Sequence, residues 1–248
     1  MSKITKKRIF EVNTLNEFVD LIETECLNEY YLFRGQSEDW NLSPKITRVN
    51  SKWGLHILET EKEMINDFKR LSRPYLKTIP SNDWEWLSIA QHYGMPTRLL
   101  DWTSSPLTAL WFTVENPPIS EYGVVWFFNA PEEDIIMSNK VKSINPFNQK
   151  RTKIFQPEII TERIQSQNGW FTLHKYLDHK EIFLPLENNA IYKEYLTKVK
   201  IPKGKFSEFR YQLNRMGVNK LSLFPDLEGA AKYAEWKNAY KDGEEEIY

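Results

Sequence analysis

The chain has 248 residues, 41% hydrophobic and 14% aromatic, a composition that supports a packed core and excludes an intrinsically disordered chain. Its 33 Lys and Arg against 34 Asp and Glu leave a net charge of -1, which excludes a global basic field for unspecific nucleic-acid binding. The single cysteine, Cys26, rules out an internal disulfide and a cysteine-built metal site. With no apolar run near the roughly 18 residues of a membrane span, and a basic start, MSKITKKRIFEV, lacking a signal-peptide core, the expected setting is cytoplasmic.

In chain order, Leu15, Phe18, Val19, Leu21 and Ile22 line one helical face over residues 14–26, with Thr14 as cap. Tyr30 to Phe33 read as a short strand that Gly35 stops, where the backbone needs a positive φ. A helix is expected over 59–72, ended by Pro74, and another over 82–93, closed by Gly94. TRLLDWT at 97–103 reads as a strand. The helix after it is capped by Ser104 or Ser105, has Pro106 in its first turn, and is ended by Asn116-Pro117-Pro118.

GVVWFFN at 123–129 is almost continuously apolar, as a strand buried on both faces is. Residues 130–160 carry no clear period and are expected to be a loop or small excursion. Further strands are expected at 169–174, 181–185 and 195–202, and helices at 205–216 and 228–239. The tail KDGEEEIY is expected to be solvated and frayed. The predicted class is α+β, a single domain with a central mixed or antiparallel sheet flanked by helices.

The block AQHYGMPTRLLDWTSSPLTALWF at 90–112 sets polar groups inside apolar sequence. Unpaired charges beside a core cost several kcal/mol, so Arg98 and Asp101 need partners. Strand alternation puts Thr97, Leu99, Asp101 and Thr103 on one face and Arg98, Leu100 and Trp102 on the other. Arg98 and Asp101 therefore do not pair; each looks to Arg34, Gln91, His92 or a ligand. Arg34, at the end of a strand and followed by Gly35, carries a planar fork that suits a phosphate, a ligand carboxylate, or a carboxylate of its own fold. His56, His174 and His179 form no ligand spacing with His92, so no metal is expected.

The triplet Phe33-Arg34-Gly35 followed by HYGMPTRLLDWTSSPLTALWF resembles the FRG domain family, with supporting segments at 162–174, 199–202 and 223–232. The resemblance implies an organisation of a helical lead-in over 1–28, an FRG domain over 29–240 and an acidic tail over 241–248. The order of polar residues is more loosely similar to ADP-ribosyltransferases. That similarity implies NAD as substrate, a macromolecular target, and a role as toxin or phage-defence effector with an antitoxin or defence partner. Catalytic roles would fall on Arg34, Thr103, Gln167 and His92. Gln91, Tyr93, Arg98, Asp101 and Ser104, with Arg34, would bind NAD. At the position where a glutamate belongs, this chain offers Gln167, which bonds a ribose hydroxyl but supplies no negative charge. Two other readings stand beside it: a non-catalytic phosphate-, nucleotide- or nucleic-acid-binding module, and a structural protein in which the block is only core.

Overall fold

Residues 8–27, 30–141, 143–158 and 162–240 are described by the computed structural model; the expected acidic tail lies outside them. The elements run β1 (Ile9–Glu11), α1 (Leu15–Glu25), β2 (Tyr31–Gln36), α2 (Ile57–Ser72), α3 (Asp83–His92), β3 (Leu99–Thr103), α4 (Pro106–Val114) and β4 (Tyr122–Asn129). They continue with β5 (Ile135–Ile136), α5 (Ser138–Val141), β6 (Lys153–Phe155), α6 (Glu162–Ser166), β7 (Gly169–Leu173), β8 (Tyr176–Leu177), β9 (Ile182–Phe183) and β10 (Leu196–Pro202). Helices α7 (Phe206–Arg215), α8 (Lys220–Leu223) and α9 (Leu227–Asn238) close the chain. Among the described residues no helix is long and apolar enough to cross a membrane.

The helix ends are set by local chemistry. Thr14 Oγ1 accepts the Glu17 amide, Asn82 accepts the Trp84 and Glu85 amides, and Ser105, rather than Ser104, accepts the Thr108 amide ahead of Pro106. Gly94, at φ 82°, turns the chain after α3. His56 caps α2 through Nδ1, which accepts the Leu58 amide.

Eight strands form one mixed sheet in the order β1-β10-β4-β2-β3-β7-β6-β5, with β1/β10 and β5/β6 parallel and the other neighbours antiparallel. The α+β class stands. Residues 130–160, expected as a loop or small excursion, supply the edge strand β5 and its neighbour β6. Strands this short carry too little period to be seen in sequence; their partners across the sheet define them.

The sheet nearly divides at its centre. Strand β2 pairs with β4 from Tyr31 to Gln36, and β3 pairs with β7 from Leu99 to Thr103, yet β2 and β3 share only the bridge Phe33–Thr103. Alternation along β3 is as expected: Leu100 and Trp102 join the cluster of Leu32, Phe128 and Tyr192, while Leu99 joins that of Ile65, Trp84 and Phe171. Helices α1, α4 and α7 cover the β4–β10 half through Phe18, Ala109, Leu110 and Phe209 packed on Val125, Phe127 and Val199.

The glycine of the triplet does a different job from the one its sequence suggested. Strand β2 runs through Gly35 to Gln36, and Gly35 is not among the positive-φ residues. A Cβ there would overlap the Ala109 carbonyl oxygen and lie 2.7 Å from Thr113 Oγ1. Gly35 thus lets β2 lie against the backbone of α4, which shortens the distance between the sheet and the helix that follows β3.

His174, fully buried, lies with Nε2 3.1 Å from Thr172 Oγ1, which also accepts a hydrogen bond from Trp102 Nε1. Burial, with a smaller push from Arg34, lowers its pKa from 6.5 to about 4. The unfolded chain then takes up a proton that the folded one refuses. Stability is complete above pH 6.5 and falls between pH 6.5 and 4, by about 3 kcal/mol in all. Urea denaturation at stepped pH is expected to show this slope in the wild type and a shallower one in His174→Leu; equal slopes would contradict it.

Candidate functional site

Where β2 and β3 separate, a cavity of about 370 Å³ opens, lined by Arg34, Gln91, His92, Asp101, Thr103, Phe112, Arg163 and Gln167 among others. Six residues singled out from the sequence meet there, drawn from β2, the end of α3, β3 and the turn before β7. Beyond the single bridge the ladder between β2 and β3 does not continue. There Arg34 Nη1 donates to the Asp101 carbonyl at 2.7 Å and lies 3.8 Å from Asp101 Oδ2.

Arg34 is the cation most committed to the site. Its side chain is 23% exposed, and its Nε, fully enclosed, has no hydrogen-bond partner among the described residues. Burial lowers its pKa, partly offset by Asp101. Guanidinium does not deprotonate in this range, so burial leaves a charge that has lost water and gains from any anion entering the cavity.

Arg163 is a second cation of this kind, and it was not singled out from the sequence. Its guanidinium stacks 4.0 Å from the centre of the Phe224 ring. Burial lowers its pKa, against the pull of Asp226 and Glu228. Its backbone carbonyl accepts from Ser166 Oγ and the Gln167 amide, while its guanidinium has no side-chain hydrogen bond among the described residues. The segment ERIQS gives no sequence signal for this role, because α6 is short and its neighbour Phe224 lies 61 positions away (224 minus 163).

Asp101 is held by a relay. Leu99 N donates to Thr97 Oγ1, Thr97 Oγ1 donates to Gln91 Oε1 at 2.7 Å, and Gln91 Nε2 donates to Asp101 Oδ2 at 2.9 Å. Each step uses up a direction of the next group, so the amide of Gln91 cannot flip without breaking two bonds. His92 lies at the rim, its ring edge-on to Tyr93, and burial followed by the charge of Arg163 lowers its pKa, so it is neutral at pH 7.

Two of the expected catalytic groups have other duties. Thr103 Oγ1 donates to the Gln167 carbonyl at 2.7 Å and accepts the Ser105 amide at 3.0 Å, which ties the end of β3 to the start of α4. Gln167 Nε2 donates to the Leu223 carbonyl. Both line the cavity as braces. Ser104 is exposed and does not line it.

Arg98 does not reach the cavity. Its guanidinium is 5% exposed and forks onto Glu61, itself fully buried, with Nε to Oε1 and Oε2 at 3.0 and 2.9 Å, between the rings of Phe147 and Phe183. The charge that seemed to need a ligand is satisfied by α2, and breaking such a pair costs about 3–5 kcal/mol.

Tyr93, 68% exposed, belongs to an adjoining cleft of about 830 Å³ that also takes in Tyr75, Ile79 and Asp226 and shares His92 and Arg163 with the first cavity. A third cavity, about 340 Å³, lies against α9, but its Lys220 pairs with Glu115 and its Lys232 with Glu235. Both lysines there are held by carboxylates of the same cavity. At the sheet division, Arg34 faces Asp101 only at 3.8 Å and keeps an enclosed Nε with no hydrogen-bond partner among the described residues.

No curated protein and no solved structure matches the chain. Residues 29–121 match the family model of the FRG domain. That stretch, similar to the FRG domain, contains the triplet, Gln91, His92, Asp101 and Thr103, and its Arg34 stands in the cavity between β2 and β3.

Proposed function

We propose that this cleft binds NAD and transfers its ADP-ribose to a macromolecule. One observation carries the reading: two desolvated guanidiniums, Arg34 and Arg163, share a cavity with the braced carboxylate of Asp101. Guanidinium forks suit a pyrophosphate. The carboxylate suits the positive charge that develops on ribose when the nicotinamide bond breaks. The two clefts joined at His92 and Arg163 give length for a dinucleotide, with Tyr93 and Tyr75 as stacking surfaces for a base.

The test is mass spectrometry of NAD after incubation with purified protein, with and without a cell extract. Wild type is expected to release nicotinamide and Arg34→Ala, at sub-saturating NAD, to release at least about tenfold less, while the mass of any adduct names the target class. Depletion of NAD in cells making the protein would extend the reading to a toxic role. Intact NAD under every condition, with the protein folded, would overturn it.

A second reading, a phosphate- or nucleotide-binding module without catalysis, is favoured by the occupied state of Thr103 and Gln167. It shares the arginines with the first reading and differs in leaving the glycosidic bond intact.

A further inference from the structure

We infer that Asp101 is the catalytic carboxylate of the cleft, with Gln91 and Thr97 as its positioning residues. This rests on the NAD-cleaving reading above. Gln167 supplies no negative charge, and its amide is turned to the Leu223 carbonyl. Across the cavity, Asp101 supplies the negative charge. Its Oδ2 is bound by Gln91 Nε2, while Oδ1 has no hydrogen-bond partner among the described residues. The side chain is 54% exposed, and the cavity it lines is the one that holds Arg34 and Arg163.

This geometry divides the labour. The guanidiniums take the pyrophosphate and the free Oδ1 faces the ribose. The bond between ribose C1′ and the nicotinamide nitrogen breaks, its electron pair leaves with neutral nicotinamide, and the resulting oxocarbenium is stabilised by Asp101. An acceptor hydroxyl then forms the new C1′–O bond, and its proton passes to Asp101 and on to solvent. Thr97 and Gln91 act only by fixing the carboxylate: the relay holds Oδ2, which leaves Oδ1 as the oxygen that faces substrate.

The test uses Asp101→Asn, which keeps an acceptor for Gln91 and leaves untouched the backbone carbonyl that binds Arg34. Nicotinamide release is expected to fall about 100-fold or more, with ADP-ribose affinity kept within about threefold, since the phosphates are held elsewhere. Asp101→Ala is expected to regain part of its rate in added formate, which a purely structural role would not allow. Thr97→Val is expected to lower kcat with KM little changed. An Asp101→Asn enzyme with a wild-type rate, or one that loses ADP-ribose binding in proportion to rate, would overturn the assignment while leaving the NAD reading standing. A wild type that binds ADP-ribose and releases no nicotinamide would overturn the NAD reading, and this assignment with it.

Discussion

Gly35→Ala is expected to cost about 3 kcal/mol of folding stability, at the upper end of overpacking effects. The added methyl meets a backbone carbonyl, that of Ala109, and no rotamer change relieves that contact. Strand β2 and helix α4 would have to separate, which loosens Phe33 against Phe127 and Leu110 and moves Arg34 at the cavity. Gly94→Ala provides the contrast. Gly94 has φ 82° and open space around its missing Cβ, so the substitution costs only the left-handed backbone penalty, about 1 kcal/mol. Urea denaturation of the two variants separates the causes; a Gly35→Ala protein as stable as Gly94→Ala would contradict the close approach.

Arg34→Ala is expected to weaken ADP-ribose binding tenfold or more, in line with about 1.5–3 kcal/mol for hydrogen bonds to a charged group. Arg34→Lys keeps the charge and loses the fork, so an intermediate loss is expected. The affinity of the wild type should fall as salt rises, because the ligand's phosphates are its main handle. Isothermal titration at two ionic strengths measures all three. Unchanged affinity in Arg34→Ala would detach the triplet's arginine from the cavity's function.

Two residues of the triplet, Arg34 and Gly35, show how far sequence carries. That a strand bears an arginine at a cavity was legible, because Arg34 sits in a short apolar run before a specific polar block. That Gly35 serves a close helix contact was not, since Ala109 lies 74 positions away (109 minus 35) and only the packed sheet brings it near. The ends of α3 and α4 were legible for the opposite reason: Asn82, Gly94 and Pro106 act within a few residues of themselves.

Arg98 and Arg163 mark the other boundary. From sequence, Arg98 stood out because it interrupts an apolar strand, yet its partner Glu61 lies 37 residues back on α2. Arg163 drew no notice, because its setting is built by α6 lying on Phe224. Charge in a hydrophobic context signals a partner, and only the tertiary fold says whether that partner is the protein or a ligand. Asp101 was legible as a polar residue facing away from Leu100 and Trp102; the relay from Thr97 through Gln91 that orients it depends on the turn after α3 returning Thr97 to the helix end.

The most direct test of the division between β2 and β3 as the working site is a crystal structure of the protein with ADP-ribose. The expected result is density with the pyrophosphate at Arg34 and Arg163 and the distal ribose beside Asp101. Density seated in the cavity against α9, or a cleft left empty at a saturating ligand concentration, would contradict the account.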